Sequence, residues 1–362
     1  LFDTSSTFAL LHSLAPQAKP QTADRGTISA LPYNTQRRRH VNILIMTSIT
    51  MMDIDDELIE RVQDAAGGEA EITIATSPGE ALEAAPDAEV IFGRIDEQLF
   101  QHAKNVRWVH ASTAGADAYL FDAFKQSDVL LSGDKGLVGS HLAETAFGLL
   151  LALTRRIDHA LLDGPESWNN RVEYRRQEFE LEGLTMGIFG FGGTGKAIAK
   201  RAAAFGMRCI AVDRESVATT PEVPKVWQLD RLDDLLAQSD VVACGLPLTK
   251  ETRSIFDAGV FAAMKPTAIL INVTRGECVD GEALAAAIEG GQIYGAGLDV
   301  TPEEPLPPEH PLWTTKNVVM TPHTAGASQL RVGRNLDRFC RNIAHFRAGE
   351  PLEGAIDKEL GY

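Results

Sequence analysis

Residues 184–213 read LTMGIFGFGGTGKAIAKRAAAFGMRCIAVD, and this stretch decides the fold. Residues 185–189 are a short apolar run suited to a buried parallel strand. Gly190, Gly192 and Gly195 then supply G-x-G-x-x-G. Ala197, Ile198, Ala202 and Phe205 recur at helical spacing, and residues 209–212 form a second apolar strand closed by Asp213. In such a unit the first glycine permits a tight turn. The second lets a pyrophosphate approach the backbone, and the third lets helix and strand pack closely. The helix N-terminus offers unpaired N–H groups and a partial positive charge to phosphate. Asp213, 18 residues past Gly195, stands where a carboxylate accepts from an adenosine ribose. A lone glycine motif is also compatible with a turn that binds nothing. Here strand, helix, second strand and terminal acid all accompany it, so a dinucleotide site is expected.

Outward from this unit, the chain has 362 residues, enough for two domains and an ample core. A hydrophobic content of 44% and a charged content of 23% are those of a soluble globular protein. The net charge of −16 disfavours nucleic acid and anionic membranes as partners. Cys209, Cys244, Cys278 and Cys340 show no metal spacing, so no metal is expected. They read as reduced thiols of a cytoplasmic protein. The apolar run at 146–153 is too short to cross a bilayer. Residues 1–40, rich in Ser, Thr, Gln, Pro and Arg, read as a disordered or non-native extension. A transit peptide has a similar composition.

Residues 41–46, 71–75, 88–92, 106–110 and 129–131 read as strands, interleaved with helices that include 55–66 and 96–103. Ser77-Pro78-Gly79-Glu80 is a helix cap with Pro in the first turn. Residues 141–157 are a long, largely apolar helix, and the polar stretch 158–182 is expected to be a loop. After the glycine unit the alternation resumes with strands at 241–244, 268–273, 294–300 and 318–320. A last helix spans 327–346. Such βαβ repetition implies two parallel sheets covered by helices. The last helix is expected to return to the first sheet, with the active site in the cleft between the sheets.

Three polar motifs end strands of the second sheet: NVTRG at 272–276, DVTPEEP at 299–305 and TPHTAG at 321–326. They bring an arginine, acids and a histidine to one face. Arginine is a planar double donor for a carboxylate. Histidine moves a proton near neutrality. A carboxylate beside it orients the ring and favours the imidazolium.

With GFGGTG, the strand-end Asp213, GLPLTKETR (245–253), INVTRGECVD, AGLDVTPEEPLP and TPHTAGAS, the chain from about residue 41 to 362 resembles the D-isomer-specific 2-hydroxyacid dehydrogenase family. That family includes glyoxylate/hydroxypyruvate reductases and phosphoglycerate dehydrogenases. The resemblance implies an α/β fold in which a Rossmann-type NAD-binding domain (143–319) is inserted into a discontinuous flavodoxin-like substrate domain (41–142 and 320–362), usually in a homodimer. It implies catalytic roles for Arg275, Glu304 and His323. The cofactor would meet Gly190, Gly192, Gly193, Thr194, Gly195, Asp213, Leu246, Pro247, Thr252, Val273, Thr274 and Asp299, the last at the nicotinamide amide. The substrate carboxylate would meet Ala114, Gly115 and Arg275, with Arg94 as a further cation.

The implied reaction is hydride transfer between NAD(H) and a small D-2-hydroxy acid or 2-oxo acid such as glyoxylate or hydroxypyruvate. Arg275 holds the carboxylate, and His323, paired with Glu304, moves the proton. Asp213 favours NAD, and Arg214 is the counter-argument that keeps NADP open. Two departures bear on cofactor affinity. Gly193-Thr194 replaces the common Arg-Ile of the glycine turn, and Gly245 stands where the family often carries His. A dinucleotide-sensing interaction protein, like the corepressors that share this fold, is the alternative.

Overall fold

The computed structural model describes residues 40–48 and 54–362. The expectation for the extension at 1–40 therefore lies, His40 apart, outside the described residues. The described residues fall within one continuous unit, Gln36–Tyr362.

The first sheet contains β1 (Val41–Met46), β2 (Ala70–Ala75), β3 (Val90–Phe92), β4 (Trp108–His110) and β5 (Leu130–Ser132). Its order is β2-β1-β3-β4-β5 and every pairing is parallel, the flavodoxin-like arrangement. The second contains β6 (Thr185–Phe189), β7 (Arg208–Val212), β8 (Val226–Trp227), β9 (Val241–Cys244), β10 (Ile269–Asn272), β11 (Gly295–Leu298) and β12 (Val318–Met320). Its order is β12-β11-β10-β9-β6-β7-β8, again all parallel. After β8 the chain crosses to the other side of β6, which makes the edge of β6 against β9 the switch point where ligands bind in open α/β sheets.

The second sheet is buried on both faces, as its uninterrupted apolar strands require. Met186, Ile188, Val241 and Ala243 feed one core layer, and Phe189, Val242, Cys244 and Leu270 feed the other. The helix Gly139–Thr154 packs Ala143, Ala146, Leu150 and Leu153 into the first layer, beside Ile198 and Ala202 of the glycine-motif helix Gly193–Ala204. The last helix, Arg331–Ala348, packs Leu336, Phe339, Ile343 and Phe346 with residues of β1, β3 and β4 in one core. The Phe339 ring centroid lies 4.3 Å from that of Phe92 and 5.2 Å from that of Trp108. The first sheet is thus covered by a helix that follows the second in sequence.

Two expectations need correction. The polar stretch at 158–182 is not a loop: it holds the helices Ile157–Asp163 and Ser167–Gln177. Neither buries a residue, so no apolar stripe marks them in the sequence. Local bonds support them instead: Asn170 Nδ2 donates to Asp163 Oδ2 at 2.7 Å, and Asn169 Nδ2 to Glu166 Oε2 at 2.6 Å. The final helix starts at Arg331, later than the expected 327, because residues 324 and 325 are tied to Asp299 and Ser328 makes the turn into it. Among the described residues no helix is long and apolar enough to cross a membrane.

Candidate active site

Register brings the second sheet's strand ends into one line. Phe189 pairs with Val212 and with Cys244, Cys244 with Asn272, Asn272 with Leu298, and Leu298 with Met320. The next residues along each strand are therefore neighbours across the sheet: Gly190, Asp213, Gly245, Val273, Asp299 and Thr321. Every motif singled out in this half of the sequence issues from that line.

At the switch point Gly190 has φ of 95°, and a Cβ there would meet the Gly245 carbonyl carbon at 2.7 Å. Any side chain at Gly245 would in turn run into the Gly190 carbonyl oxygen. The glycine at 245 is thus matched to its neighbour as well as lacking the family's common histidine. Gly192 is the opposite case: nothing lies within 4 Å of where its Cβ would be. This leaves an open approach to the N-terminus of the helix Gly193–Ala204, with Thr194 half-buried in the first turn. Asp213 Oδ2 accepts from the Phe191 N–H at 2.6 Å, joining the strand-end carboxylate to the glycine loop. An open phosphate cradle beside an anchored strand-end acid fits a dinucleotide.

The flanking loop 246–252 is braced from within. The Thr252 hydroxyl donates to Pro247 O at 2.7 Å and accepts from the Thr249 N–H at 2.8 Å. Thr252 therefore shapes the loop that presents Leu246 and Pro247. Asn272, fully buried, accepts from the Thr274 N–H at 3.1 Å and donates to Arg275 O at 2.8 Å. It fixes the turn through Val273 and Thr274 that carries Arg275.

Arg275 reaches across to the first sheet's loops. Its Nε donates to Asp117 Oδ1 at 2.9 Å and its Nη1 to Thr274 O at 2.9 Å. Its Nη2 occupies the space that a Cβ at Gly115 would need. Gly115 is thus required for the guanidinium to lie against the loop that holds Ala114. Thr113 Oγ1 closes that loop on Gly115 O at 2.9 Å. Asp117 was not singled out in the sequence, where an acid in a loop carries no signal. Arg94 is exposed at the end of β3 and makes no ion pair among the described residues.

His323 follows β12 with φ of 53°, uncommon for a residue with a side chain. Its backbone N–H donates to Asp299 O at 2.7 Å. Its Nδ1 lies 2.6 Å from Glu304 Oε2, which identifies Glu304 and not Glu303 as its partner. Glu304 Oε1 accepts from the Thr301 N–H at 3.2 Å. Asp299 is buried, and its carboxylate accepts from Thr321 Oγ1 at 2.6 Å, Thr324 N at 3.0 Å and Ala325 N at 2.9 Å. Expected at the nicotinamide, it also anchors the histidine loop. The turns of Arg275 and Glu304 touch: a Cβ at Gly276 would collide with Thr301 O. Arg275, Glu304 and His323 thus sit on adjoining turns, and among the described residues Nε2 of the histidine has no hydrogen-bond partner.

The family model for the NAD-binding domain of D-isomer specific 2-hydroxyacid dehydrogenases matches residues 147–325. A glyoxylate reductase of Thermofilum pendens is 35% identical over 272 residues, covering 74% of this chain and 79% of that protein. One from Korarchaeum cryptofilum is 32% identical over 311 residues, covering 84% and 86%. A D-isomer specific 2-hydroxyacid dehydrogenase family protein from Aeromonas salmonicida superposes with a TM-score of 0.73 at 29% identity, covering 88% of this chain and all of that one. Another, from Xanthobacter autotrophicus and solved with NADPH and MES, gives 0.71 at 28% identity, covering 88% and 99%. With strand order, glycine turn and strand-end motifs in agreement, the chain belongs to the D-isomer specific 2-hydroxyacid dehydrogenase family and is an NAD(P)-dependent oxidoreductase.

Proposed function

We propose that the enzyme reduces a small 2-oxo acid, of the glyoxylate or hydroxypyruvate kind, to the D-2-hydroxy acid, with NADH preferred. The observation that carries the reading is the His323–Glu304 contact of 2.6 Å on a turn adjoining that of Arg275. Arg275 presents a forked cation to the substrate carboxylate and polarises the ketone. The Ala114–Gly115 backbone receives the same carboxylate from the other sheet. When bound, reduced nicotinamide supplies hydride to C2. His323 gives the Nε2 proton to the developing alkoxide, and Glu304 holds the Nδ1 proton so that the ring keeps its orientation. Leu246, Pro247, Val273 and Thr274 border the cofactor cleft. Asp213 accepts from a free ribose 2′-hydroxyl and repels a 2′-phosphate, which favours NADH. The exposed Arg94 suits a second anionic group on the substrate.

The working unit is proposed to be a homodimer. The helical segment 157–177 exposes Leu161, Leu162, Trp168 and Val172, the first two at 76% and 86%. An apolar patch of this kind seeks a partner, and a second copy supplies it symmetrically. Free thiols fit a reducing cytoplasmic setting.

The test is NADH-dependent turnover on a panel of 2-oxo acids, with His323→Ala beside the wild type. Small 2-oxo acids are expected to turn over, and the variant to lose about 100-fold or more in kcat/KM. Tight NADH binding without turnover of any member would reject the enzyme reading in favour of a dinucleotide-sensing interaction protein.

A further inference from the structure

The ribose end of the cofactor cleft holds a side-chain cluster that the family motifs do not account for. Arg214 follows Asp213, and its cation is of the kind that would welcome a 2′-phosphate. Its guanidinium is already engaged. Nε pairs with Glu215 Oε1 at 3.3 Å, and Nη2 donates to Tyr362 Oη at 3.2 Å. Tyr362 Oη in turn donates to Glu215 Oε1 at 3.4 Å, closing a triangle. The Glu215 N–H donates to Asp213 Oδ1 at 2.9 Å, so the cluster is continuous with the ribose carboxylate.

Tyr362 is held in place by the segment before it. Its carbonyl accepts from the Asp357 N–H at 3.2 Å, and Lys358 Nζ donates to Phe124 O at 3.1 Å on the first sheet's side. Gly361 sits between Leu120 and Thr249, with a Cβ there reaching them at 3.7 and 3.6 Å. Lys135 Nζ lies 5.7 Å from the Tyr362 ring centroid and the Arg214 guanidinium carbon 6.0 Å. The hydroxyl that meets Arg214 is therefore delivered by residues of the first half of the fold to the nucleotide edge of the second.

We infer that Tyr362 and Glu215 form a clamp that keeps Arg214 off the ribose 2′ position, and that this clamp is a second determinant of NADH preference beside Asp213. The inference rests on the cofactor preference proposed above. To bind a 2′-phosphate Arg214 must leave a carboxylate and a phenol, in a neighbourhood where Asp213 and Glu215 both repel the incoming charge. Binding a 2′-hydroxyl asks for no such exchange. Sequence position alone gives Arg214 the opposite reading, as a phosphate receptor.

The experiment measures NADH and NADPH dissociation constants by calorimetry, without substrate, for the wild type and Tyr362→Phe/Glu215→Gln. The phenylalanine keeps the ring against Lys135 and removes the acceptor, so the fold is preserved. The ratio Kd(NADPH)/Kd(NADH) is expected to fall about tenfold, the scale of one charged hydrogen bond regained. Adding Arg214→Ala to the double variant is expected to reverse that fall. An unchanged ratio overturns the clamp. So does a fall that persists without Arg214, since that would be lost carboxylate repulsion alone. A wild type that prefers NADPH overturns it too. Failure to turn over 2-oxo acids would reject the proposed reaction and leave this binding result readable.

Discussion

Arg275 meets carboxylate chemistry from both directions: Asp117 at 2.9 Å in this structure, a substrate in the proposed reaction. Arg275→Ala is expected to cost on the order of 2–4 kcal/mol in kcat/KM for 2-oxo acids, because a charged clamp and a carbonyl polariser are lost together. NADH binding, read by fluorescence, should change little. Wild-type efficiency in that variant would remove Arg275 from the mechanism. The residue scale is also where the sequence was most and least informative. The placing of Arg275, Glu304 and His323 at the ends of neighbouring strands was legible because each lies in a short motif after an apolar strand. The choice of Glu304 over Glu303 agrees with the 2.6 Å contact. Asp117 was not, since its partner lies 158 residues away and no local pattern links them. Asp299 and Thr252 were legible as positions but not as braces, because hydrogen bonds inside a loop leave no periodicity.

At the scale of elements, the strand-end turns are packed against each other with almost no tolerance. Gly276 shows it most directly, since a Cβ there would collide with Thr301 O, a backbone atom that cannot swing aside. Gly276→Ala is expected to destabilise the fold by about 1–3 kcal/mol, and to lower kcat/KM further by parting the Arg275 turn from the Glu304 turn. The checks are the urea midpoint and the kinetics of the same preparation. A variant with both unchanged would mean that the turns have slack. The two sheets were legible in the sequence because buried parallel strands are continuous apolar runs. The pair β7–β8 was only half seen, because Val226–Trp227 is too short to show a period. The helices of 157–177 were missed for a different reason: with no buried face they have no stripe to read, and local hydrogen bonds alone define them.

At the scale of the whole molecule the same segment becomes the proposed contact with a second copy. Leu161→Asp/Leu162→Asp is expected to shift the protein from dimer to monomer in light scattering at micromolar concentration; a variant unchanged in mass would move the interface elsewhere. Stability should also depend on pH through His110. Burial, with the Arg338 charge second, holds its pKa down to about 3. An unfolded histidine titrates near 6.5. Between these values the unfolded chain takes a proton that the folded chain excludes, so stability is full above about pH 6.5 and falls toward pH 3. Burial raises the Asp134 carboxyl, which works in the opposite sense above its ordinary value. Between pH 7 and 4.5 the histidine contributes a loss of about 2–3 kcal/mol. His110→Gln should remove that part of the slope in urea titrations, and an equal slope in both proteins would exclude His110 as its source. The Arg275–Asp117 pair has a mechanical side as well. It joins a loop after β10 to a loop after β4, with both side chains partly wetted, so its rupture costs about 1 kcal/mol or less. His323 and Glu304 lie wholly on the β10 side of that joint. Loss of that one pair would therefore loosen the proposed carboxylate clamp while leaving the proposed proton donor, His323 on Glu304, assembled.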